Sequence, residues 1–124
     1  MKLDKPEIDF PDASPPNELE ITDLSQGNGA EATAGVTVVT HYVGVAHSSG
    51  EEFDASYNRG EPLAFRLGVG QVIAGWDQGI QGMKVGGRRK LVIPPHLGYG
   101  DRGAGAAIAP GETLIFVVDL VDVR

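Results

Sequence analysis

The side chains that most often perform catalysis are not arranged for it in this chain of 124 residues. The histidines, His41, His47 and His96, show neither metal-ligand spacing nor a neighbouring nucleophile, so we expect them to be structural or solvated. Cysteine is absent, which excludes thiolate metal sites and thiol nucleophiles. Asp101 stands alone among glycines, without the alternating carboxylates of a calcium loop. The sequence therefore predicts no metal, no cofactor and no covalent chemistry.

Two glycine-containing segments and one basic cluster could suggest phosphate binding. Residues 68–70 (Gly-Val-Gly) and 103–105 (Gly-Ala-Gly) complete neither a dinucleotide fingerprint nor a P-loop. The basic cluster comprises Lys84, Arg88, Arg89 and Lys90. It lacks interleaved aromatic residues, and we interpret it as a solvated strand face rather than an RNA-binding surface. Because a net charge of -7 repels phosphate backbones and anionic lipids, we expect neither nucleic acid nor a membrane as a partner.

The aromatic residues form a more informative pattern. The chain has one Trp, three Tyr and four Phe. Five of these aromatic residues come from five separate segments: Tyr42, Phe53, Trp76, Tyr99 and Phe116. An ordinary core would bring some of them together, but buried tyrosine hydroxyls need partners, and Asp54 beside Phe53 is costly to bury. A hydrophobic pocket with polar groups at its rim explains this set better.

The elements that must position these residues are mostly strands, because 18 Gly and 8 Pro favour turns over long helices. Strand patterns occupy residues 19–24, 36–45, 52–57, 62–67, 88–93 and 113–123. Apolar residues at three-to-four-residue spacing predict one helix over residues 72–83, with Trp76 as its largest anchor. We therefore predict an α+β fold in which a twisted antiparallel sheet wraps on this helix.

The first 18 residues differ from the rest in composition. They hold four of the eight prolines among acidic and small residues and offer little to bury. We interpret residues 1–18 as an extended, solvated Pro-rich arm and residues 19–124 as one domain. The chain shows no apolar run of the signal-peptide kind and no stretch of about 20 apolar residues, so we expect a cytoplasmic protein. Nothing in the pattern indicates more than a monomer.

Six short motifs give the sequence a specific resemblance. They are His41-Tyr42-Val43-Gly44, Gly50-Glu51-Glu52-Phe53-Asp54-Ala55-Ser56, Val72-Ile73-Ala74-Gly75-Trp76-Asp77-Gln78-Gly79, Met83-Lys84-Val85-Gly86-Gly87-Arg88-Arg89, Ile93-Pro94 and Leu97-Gly98-Tyr99-Gly100. Over about residues 19–123, their order and spacing resemble those of FKBP-type peptidyl-prolyl cis/trans isomerases, the immunophilins that bind rapamycin and tacrolimus. The resemblance implies a five- or six-stranded antiparallel sheet curled around one short helix, with a substrate pocket between helix and sheet.

The resemblance also assigns roles within the pocket. It implies that Trp76 is the floor under the proline ring, that Asp54 and Tyr99 occupy the polar rim, and that Arg59 is the partner of the Asp54 carboxylate. The implied catalytic residues are Asp54, Tyr99, Trp76, Tyr42, Phe53 and Phe116. The implied substrate- and macrolide-binding residues are Tyr42, Phe53, Asp54, Arg59, Leu63, Gln71, Val72, Ile73, Trp76, Tyr99, Ile108 and Phe116, of which Val72, Ile73 and Ile108 line the mouth.

The sequence departs from the family pattern at the flap, residues 99–116. Ala104 and Ala107 stand where well-known members carry a bulky His and an aliphatic residue. In addition, Leu63 replaces a common aromatic wall residue and Gln71 replaces a frequent Glu. We expect these changes to alter macrolide affinity and substrate selectivity more than isomerisation.

The resemblance implies an isomerase that assists protein folding by accelerating rotation about X-Pro bonds without a cofactor. Its partners would be proline-containing peptides, unfolded or folding proteins, and macrolides of the rapamycin and tacrolimus type. An alternative is a binding module or chaperone that holds proline segments without turnover, which the loss of flap bulk favours. A third interpretation, a structural domain with an ordinary core, predicts no binding of proline peptides.

Overall fold

The computed structural model describes residues 5–8, 14–104 and 108–124, and in these residues the chain forms one six-stranded sheet and short helices. The strands are β1 (Glu20–Ser25), β2 (Thr37–Ala46), β3 (Glu52–Ala55), β4 (Leu63–Arg66), β5 (Arg88–Ile93) and β6 (Leu114–Val123). The helices are α1 (Ser56–Arg59) and α2 (Ala74–Gly79), with a 3-10 turn at Pro95–Leu97. None of the helices in the described residues is long and apolar enough to cross a membrane.

The sheet is antiparallel, with the order β1-β5-β6-β2-β3 and with β4 also paired to β2. One edge of β2 pairs with β6 along most of its length. Its other edge is shared, because β4 pairs with Thr37 to Thr40 and β3 pairs with Val43 to Val45. Helix α1 joins these two strands and therefore lies at a corner of the sheet. The predicted α+β fold, a curled antiparallel sheet around a short helix, is confirmed.

Helix α2 packs directly on strand β5, and two glycines permit this contact. A Cβ atom at Gly75 would lie 2.6 Å from Ile93 Cγ2, and one at Gly79 would lie 2.7 Å from Leu91 Cδ2. Each glycine costs the helix roughly 0.5 to 1 kcal/mol relative to alanine. The close approach offsets this cost by burying Trp76 with the two β5 side chains in the main core cluster.

Two predicted boundaries differ from the structure. The predicted helix over residues 72–83 is shorter, because Ile73 is extended (φ -58°, ψ 150°) and Gly82 has a positive φ of 91°. The strand predicted to reach Tyr57 ends at Ala55, where α1 begins. Both errors arise because apolar and β-compatible residues continue past the point where the backbone turns.

The interpretation of the basic cluster as a solvated face is wrong for its two arginines. Arg89 is 9% exposed, and its Nε lies 2.6 Å from Asp23 Oδ1 on β1. Arg88 Nε lies 2.6 Å from Asp119 Oδ1 on β6, and Asp119 is 2% exposed. Because β5 is an interior strand, each of these arginines meets a carboxylate on the adjacent strand.

The described part of the N-terminal segment touches the domain. Lys5 Nζ lies 2.8 Å from Glu52 Oε1 and donates a hydrogen bond to Asn58 Oδ1 at 2.9 Å. Pro6 and Ile8 border a groove on the sheet. These contacts do not test the predicted division into an arm of residues 1–18 and a domain of residues 19–124, which stays a prediction.

Candidate functional site

A cleft of about 430 Å³ opens between helix α2 and the sheet. This volume falls within the roughly 300 to 1,000 Å³ typical of small-molecule sites. Its lining residues are Tyr42, Phe53, Asp54, Leu63, Gln71, Val72, Ile73, Trp76, Tyr99 and Phe116. All ten belong to the set that the family resemblance implies for substrate and macrolide binding, and of that set only Arg59 and Ile108 are not in the lining. Their binding roles stay a prediction.

The floor and walls of the cleft are aromatic rings packed edge to face. Trp76 is 4% exposed, and its ring centroid lies 4.9 Å from that of Tyr42 and 5.1 Å from that of Phe116, at interplanar angles of 79° and 85°. Phe53 meets Phe116 at 5.4 Å and 90°. Edge-to-face packing at these distances is favourable for ring quadrupoles. The rings thus form a close-packed apolar interior for the cleft.

Strand β2 carries Gly44 at the point where the rings of two wall residues, Phe53 and Phe116, pack against the strand. A Cβ atom at Gly44 would lie 2.6 Å from Phe116 Cε1 and 2.7 Å from Phe53 Cζ. Any side chain here would force both rings to move. The glycine of the His41-Tyr42-Val43-Gly44 motif is therefore required by the cleft walls.

Three polar groups close a triangle at the rim. Tyr42 Oη donates a hydrogen bond to Asp54 Oδ2 at 2.6 Å, Arg59 Nη1 donates to Asp54 Oδ1 at 2.6 Å, and Arg59 Nη2 donates to Tyr42 Oη at 2.8 Å. Partial burial acts to raise the pKa of Asp54, but the hydrogen bonds from Tyr42 and Arg59 outweigh it and hold that pKa below its ordinary value. The carboxylate is therefore ionised and fixed in direction.

Tyr99 supplies a second polar group at the mouth. Its side chain is 40% exposed and lines the cleft. Partial burial raises the pKa of Tyr99, and the negative charge of Asp54 raises it further. The hydroxyl therefore stays protonated and can donate a hydrogen bond into the cleft at neutral pH.

The segment that lines the mouth is held to helix α2 by a carboxylate that the sequence reasoning missed. Asp77 accepts hydrogen bonds from the backbone N–H groups of Gly68 at 2.8 Å and Gly70 at 2.9 Å. The side chain of Gln71 accepts one from the backbone of Arg66 at 2.8 Å. The sequence does carry a signal for this contact. The Gly-Val-Gly segment of residues 68–70, whose glycine N–H groups have no side chain beside them, lies just before a helix with an acidic residue in its first turn.

The two predicted residues outside the lining have different places. Arg59 belongs to the rim through its bonds to Asp54 and Tyr42. Ile108 is 5% exposed, belongs to the main core cluster and pairs through its backbone with Ala104. Because its side chain packs inward, the described residues do not show Ile108 at the mouth of the cleft, where it was predicted. The flap residue Ala107 lies outside the described residues.

Within residues 5–8, 14–104 and 108–124, no group of three or more His, Asp or Glu could hold a metal ion. None of the histidines is among the described residues that line the cleft. Fold and cleft together define a small α+β domain with an aromatic cleft and a few polar groups at its rim.

Comparison with known proteins identifies the family. The family model for FKBP-type peptidyl-prolyl cis-trans isomerases matches residues 29–121, and the chain belongs to this family. It is 68% identical over 124 residues to an FK506-binding protein of Streptomyces anulatus, covering 99% of this chain and 100% of the relative. It is 49% identical over 119 residues to a probable FK506-binding protein of Corynebacterium glutamicum, covering 96% and 98%.

Solved structures of the family share the fold. The crystal structure of AtFKBP13 matches with a TM-score of 0.79 and 46% identity, over 86% of this chain and 93% of that one. The crystal structure of FkpA from Escherichia coli matches with a TM-score of 0.77 and 45% identity, over 86% of this chain and 48% of that one. The predicted resemblance to the FKBP family is therefore confirmed.

Proposed function

We propose that this protein is a peptidyl-prolyl cis/trans isomerase that accelerates rotation about X-Pro bonds and thereby assists protein folding. Membership of the FKBP-type family supports this proposal. The observation that carries it is an open aromatic cleft floored by Trp76, with one oriented carboxylate, Asp54, at its rim. Such a cleft fits the ring of a proline side chain and needs no nucleophile.

The chemistry requires only that the twisted amide be bound better than the planar one. Rotation about an amide C–N bond crosses a barrier of roughly 18 to 20 kcal/mol, because it breaks the partial double bond. The planar amide is dipolar and well solvated, whereas the twisted amide has lost conjugation and much of that charge separation. An apolar cleft removes water from the planar amide and therefore lowers the relative free energy of the twisted state.

Each group in the cleft has a role in this mechanism. Trp76 and Phe116, with Tyr42 and Phe53, hold the prolyl ring in the cleft. The protonated hydroxyl of Tyr99 donates a hydrogen bond to a substrate carbonyl. Asp54 presents a fixed negative charge to the rotating amide. The raised pKa of Tyr99 and the lowered pKa of Asp54 keep both groups in these protonation states near neutral pH.

We also propose that the same cleft binds FK506 (tacrolimus) and rapamycin-type macrolides, because two of the relatives are named as FK506-binding proteins. Ala104 and Ala107 remove bulk from the flap, so we expect weaker binding than in flap-intact members of the family. A monomeric state and a cytoplasmic location complete the proposal. The absence of Cys suits a reducing compartment, and sedimentation and cell fractionation would test these two points.

A protease-coupled isomerisation assay on an X-Pro peptide, run with and without rapamycin, tests the proposal. We expect acceleration that rapamycin inhibits and a matching acceleration of proline-limited refolding of an unrelated protein. The same peptide with Ala in place of Pro is the control and should show no slow phase. Retardation of refolding without acceleration would instead identify a proline-binding module, and no effect in either assay would contradict both functions.

A further inference from the structure

Helix α1 is a single turn, too short to be stable by itself. It has no side-chain cap at its N-terminus. Each of its side chains instead bonds to a partner elsewhere in the fold. Ser56 Oγ accepts from the backbone N–H of Tyr42 at 2.7 Å, Tyr57 donates to Asp119, Asn58 donates to Glu52 at 2.9 Å, and Arg59 binds Asp54 and Tyr42. The position of α1 is therefore set by tertiary contacts.

Among these contacts, the one made by Tyr57 reaches a buried carboxylate. Its hydroxyl donates to Asp119, which is 2% exposed. Arg88 fixes that acceptor with bonds of 2.6 Å from Nε and 3.0 Å from Nη2. The Tyr57 ring also stacks on His41, with centroids 4.6 Å apart and planes at 20°. Burial raises the pKa of Tyr57 and the bond to Asp119 raises it further, so the hydroxyl remains a donor.

The opposite end of the same turn carries the rim. Arg59 is the last residue of α1, and its side chain is 50% exposed, with its guanidinium carbon 5.7 Å from the centroid of the Tyr42 ring. Its bonds to Asp54 and Tyr42 are short, at 2.6 and 2.8 Å. A displacement of α1 by about 1 Å away from the rim, with the Arg59 side chain in the same conformation, would lengthen both bonds beyond hydrogen-bonding distance. The direction of the Asp54 carboxylate thus depends on where α1 lies.

We propose that Tyr57 is a positioning residue for the rim: its bond to the buried Asp119 holds α1 where Arg59 reaches Asp54 and Tyr42. Tyr57 does not line the cleft and acts through Arg59. The effect on turnover rests on the proposed function. The effect on the rim carboxylate does not, because it can be measured without any substrate.

Tyr57→Phe removes only the hydroxyl and keeps the ring that stacks on His41. The substrate-independent measurement is a pH titration of the Asp54 side-chain carboxyl carbon by NMR. We expect this carboxyl to titrate at higher pH in the variant than in the wild type, because Arg59 binds it less often. We also expect kcat/KM to fall about fivefold, the size of effect that follows from losing one ordinary hydrogen bond.

The matched control is Asp23→Asn, which breaks the comparable carboxylate–arginine pair to Arg89 on the other side of the sheet. It should lower the melting temperature without moving the Asp54 titration or kcat/KM. A second variant, Asp119→Asn, weakens the Tyr57 anchor from its other side. It should move the Asp54 titration in the same direction as Tyr57→Phe.

The decisive comparison uses the Arg59→Ala background. If Tyr57 acts through Arg59, then Tyr57→Phe adds no further shift to the Asp54 titration there, and the two effects are not additive. Additive effects would overturn the proposal, and so would a lower melting temperature with an unmoved Asp54 titration. Absence of isomerase activity in the wild type would count against the proposed function alone, since the titration still decides the role of Tyr57.

Discussion

Replacement of Trp76 by Leu asks whether the cleft floor serves function or only fills the core. The indole packs against the rings of Tyr42, Phe65 and Phe116, with centroids 4.9, 5.6 and 5.1 Å away. Its Nε1–H has no hydrogen-bond partner among the described residues, so its removal breaks no hydrogen bond there. The cost of the substitution is therefore that of lost packing.

The magnitude of this cost follows from the contacts. Truncation of a buried Trp to Ala costs about 3 to 5 kcal/mol, and an aromatic pair contributes about 0.5 to 1.5 kcal/mol. Leucine refills part of the volume but keeps none of the ring contacts, so we expect Trp76→Leu to cost about 2 to 4 kcal/mol. Domains of this size are stable by about 5 to 15 kcal/mol, so the variant should remain folded. Chemical denaturation measures this loss.

Activity separates the floor from the core. We expect Trp76→Leu to lower kcat/KM at least about tenfold in the protease-coupled assay, equivalent to about 1.4 kcal/mol of transition-state stabilisation. Phe65→Leu is the matched control, because Phe65 is buried against the same indole but is not among the described lining residues. It should cost about 1 to 2 kcal/mol of stability and leave most of the activity.

Two results would refute this reasoning. If Trp76→Leu keeps wild-type kcat/KM while losing stability as Phe65→Leu does, then Trp76 is only a core residue. The wild-type protein offers a second check, because Trp76 is its sole tryptophan. A saturating proline ligand that leaves the fluorescence emission unchanged would show that the ligand does not rest on this indole.

Three further predictions concern charge and hydrogen bonding. The pKa of Asp54 is lowered and those of Tyr42 and Tyr99 are raised, so kcat/KM should be flat between about pH 6 and 8.5 and unaffected by a chelator. The stability that ionised Asp54 contributes is present above its unfolded pKa of about 3.9. It is lost only as the pH falls through the lower pKa of the folded state. A bell-shaped profile in that window, or rescue by metal, would contradict the desolvation mechanism. Asp77→Ala removes the acceptor for two backbone N–H groups of the segment at the mouth of the cleft. It should raise KM more than it lowers kcat, at a stability cost of about 1 to 2 kcal/mol. An unchanged KM would show that the mouth holds its shape without this carboxylate. Lys5→Ala breaks an ion pair with Glu52 whose two side chains are 39% and 34% exposed. Because solvent screens such a pair, the free energy of unfolding should fall by at most about 0.5 kcal/mol, and high salt should abolish the difference. A larger loss that does not depend on salt would mean that packing holds the arm.

Much of the fold was predictable because its signals are local. Patterns within a dozen residues predict the main elements. The β-branched run of β2 and the apolar run of β6 each predict a strand, and the three-to-four-residue spacing around Trp76 predicts a helix. The cleft was indicated in a different way. Tyr42, Phe53 and Phe116 were grouped because aromatic residues from separate segments suggested a pocket, and the ordered motifs, which hold most but not all of the lining residues, added the resemblance to the FKBP family.

The features that sequence reasoning missed depend on which strands become neighbours. Asp23 and Arg89 are 66 positions apart and meet only because β1 pairs with β5. Asp119 and Arg88 meet only through the register of β5 with β6. A cluster of basic residues looks solvated until its partners are known, since nothing within the cluster itself indicates them. Helix α1 was missed likewise, because tertiary bonds rather than helix propensity hold it.

The rim, more than the floor, separates this site from an ordinary core. Trp76, Tyr42 and Phe116 would pack as well beneath a closed surface. An ordinary core, however, would not place beside them a carboxylate that is 40% exposed, nor leave the indole N–H without a partner in the described residues. Trp76, Tyr42 and Phe116 are each at most 5% exposed, so the cleft leaves little of these rings open to solvent. Asp54 and its two donors contribute little to stability at an exposed position, where ion pairs are weak. Stability alone therefore does not explain why these polar groups stand beside the rings, whereas the proposed isomerase site does, because there they would orient a bound proline segment.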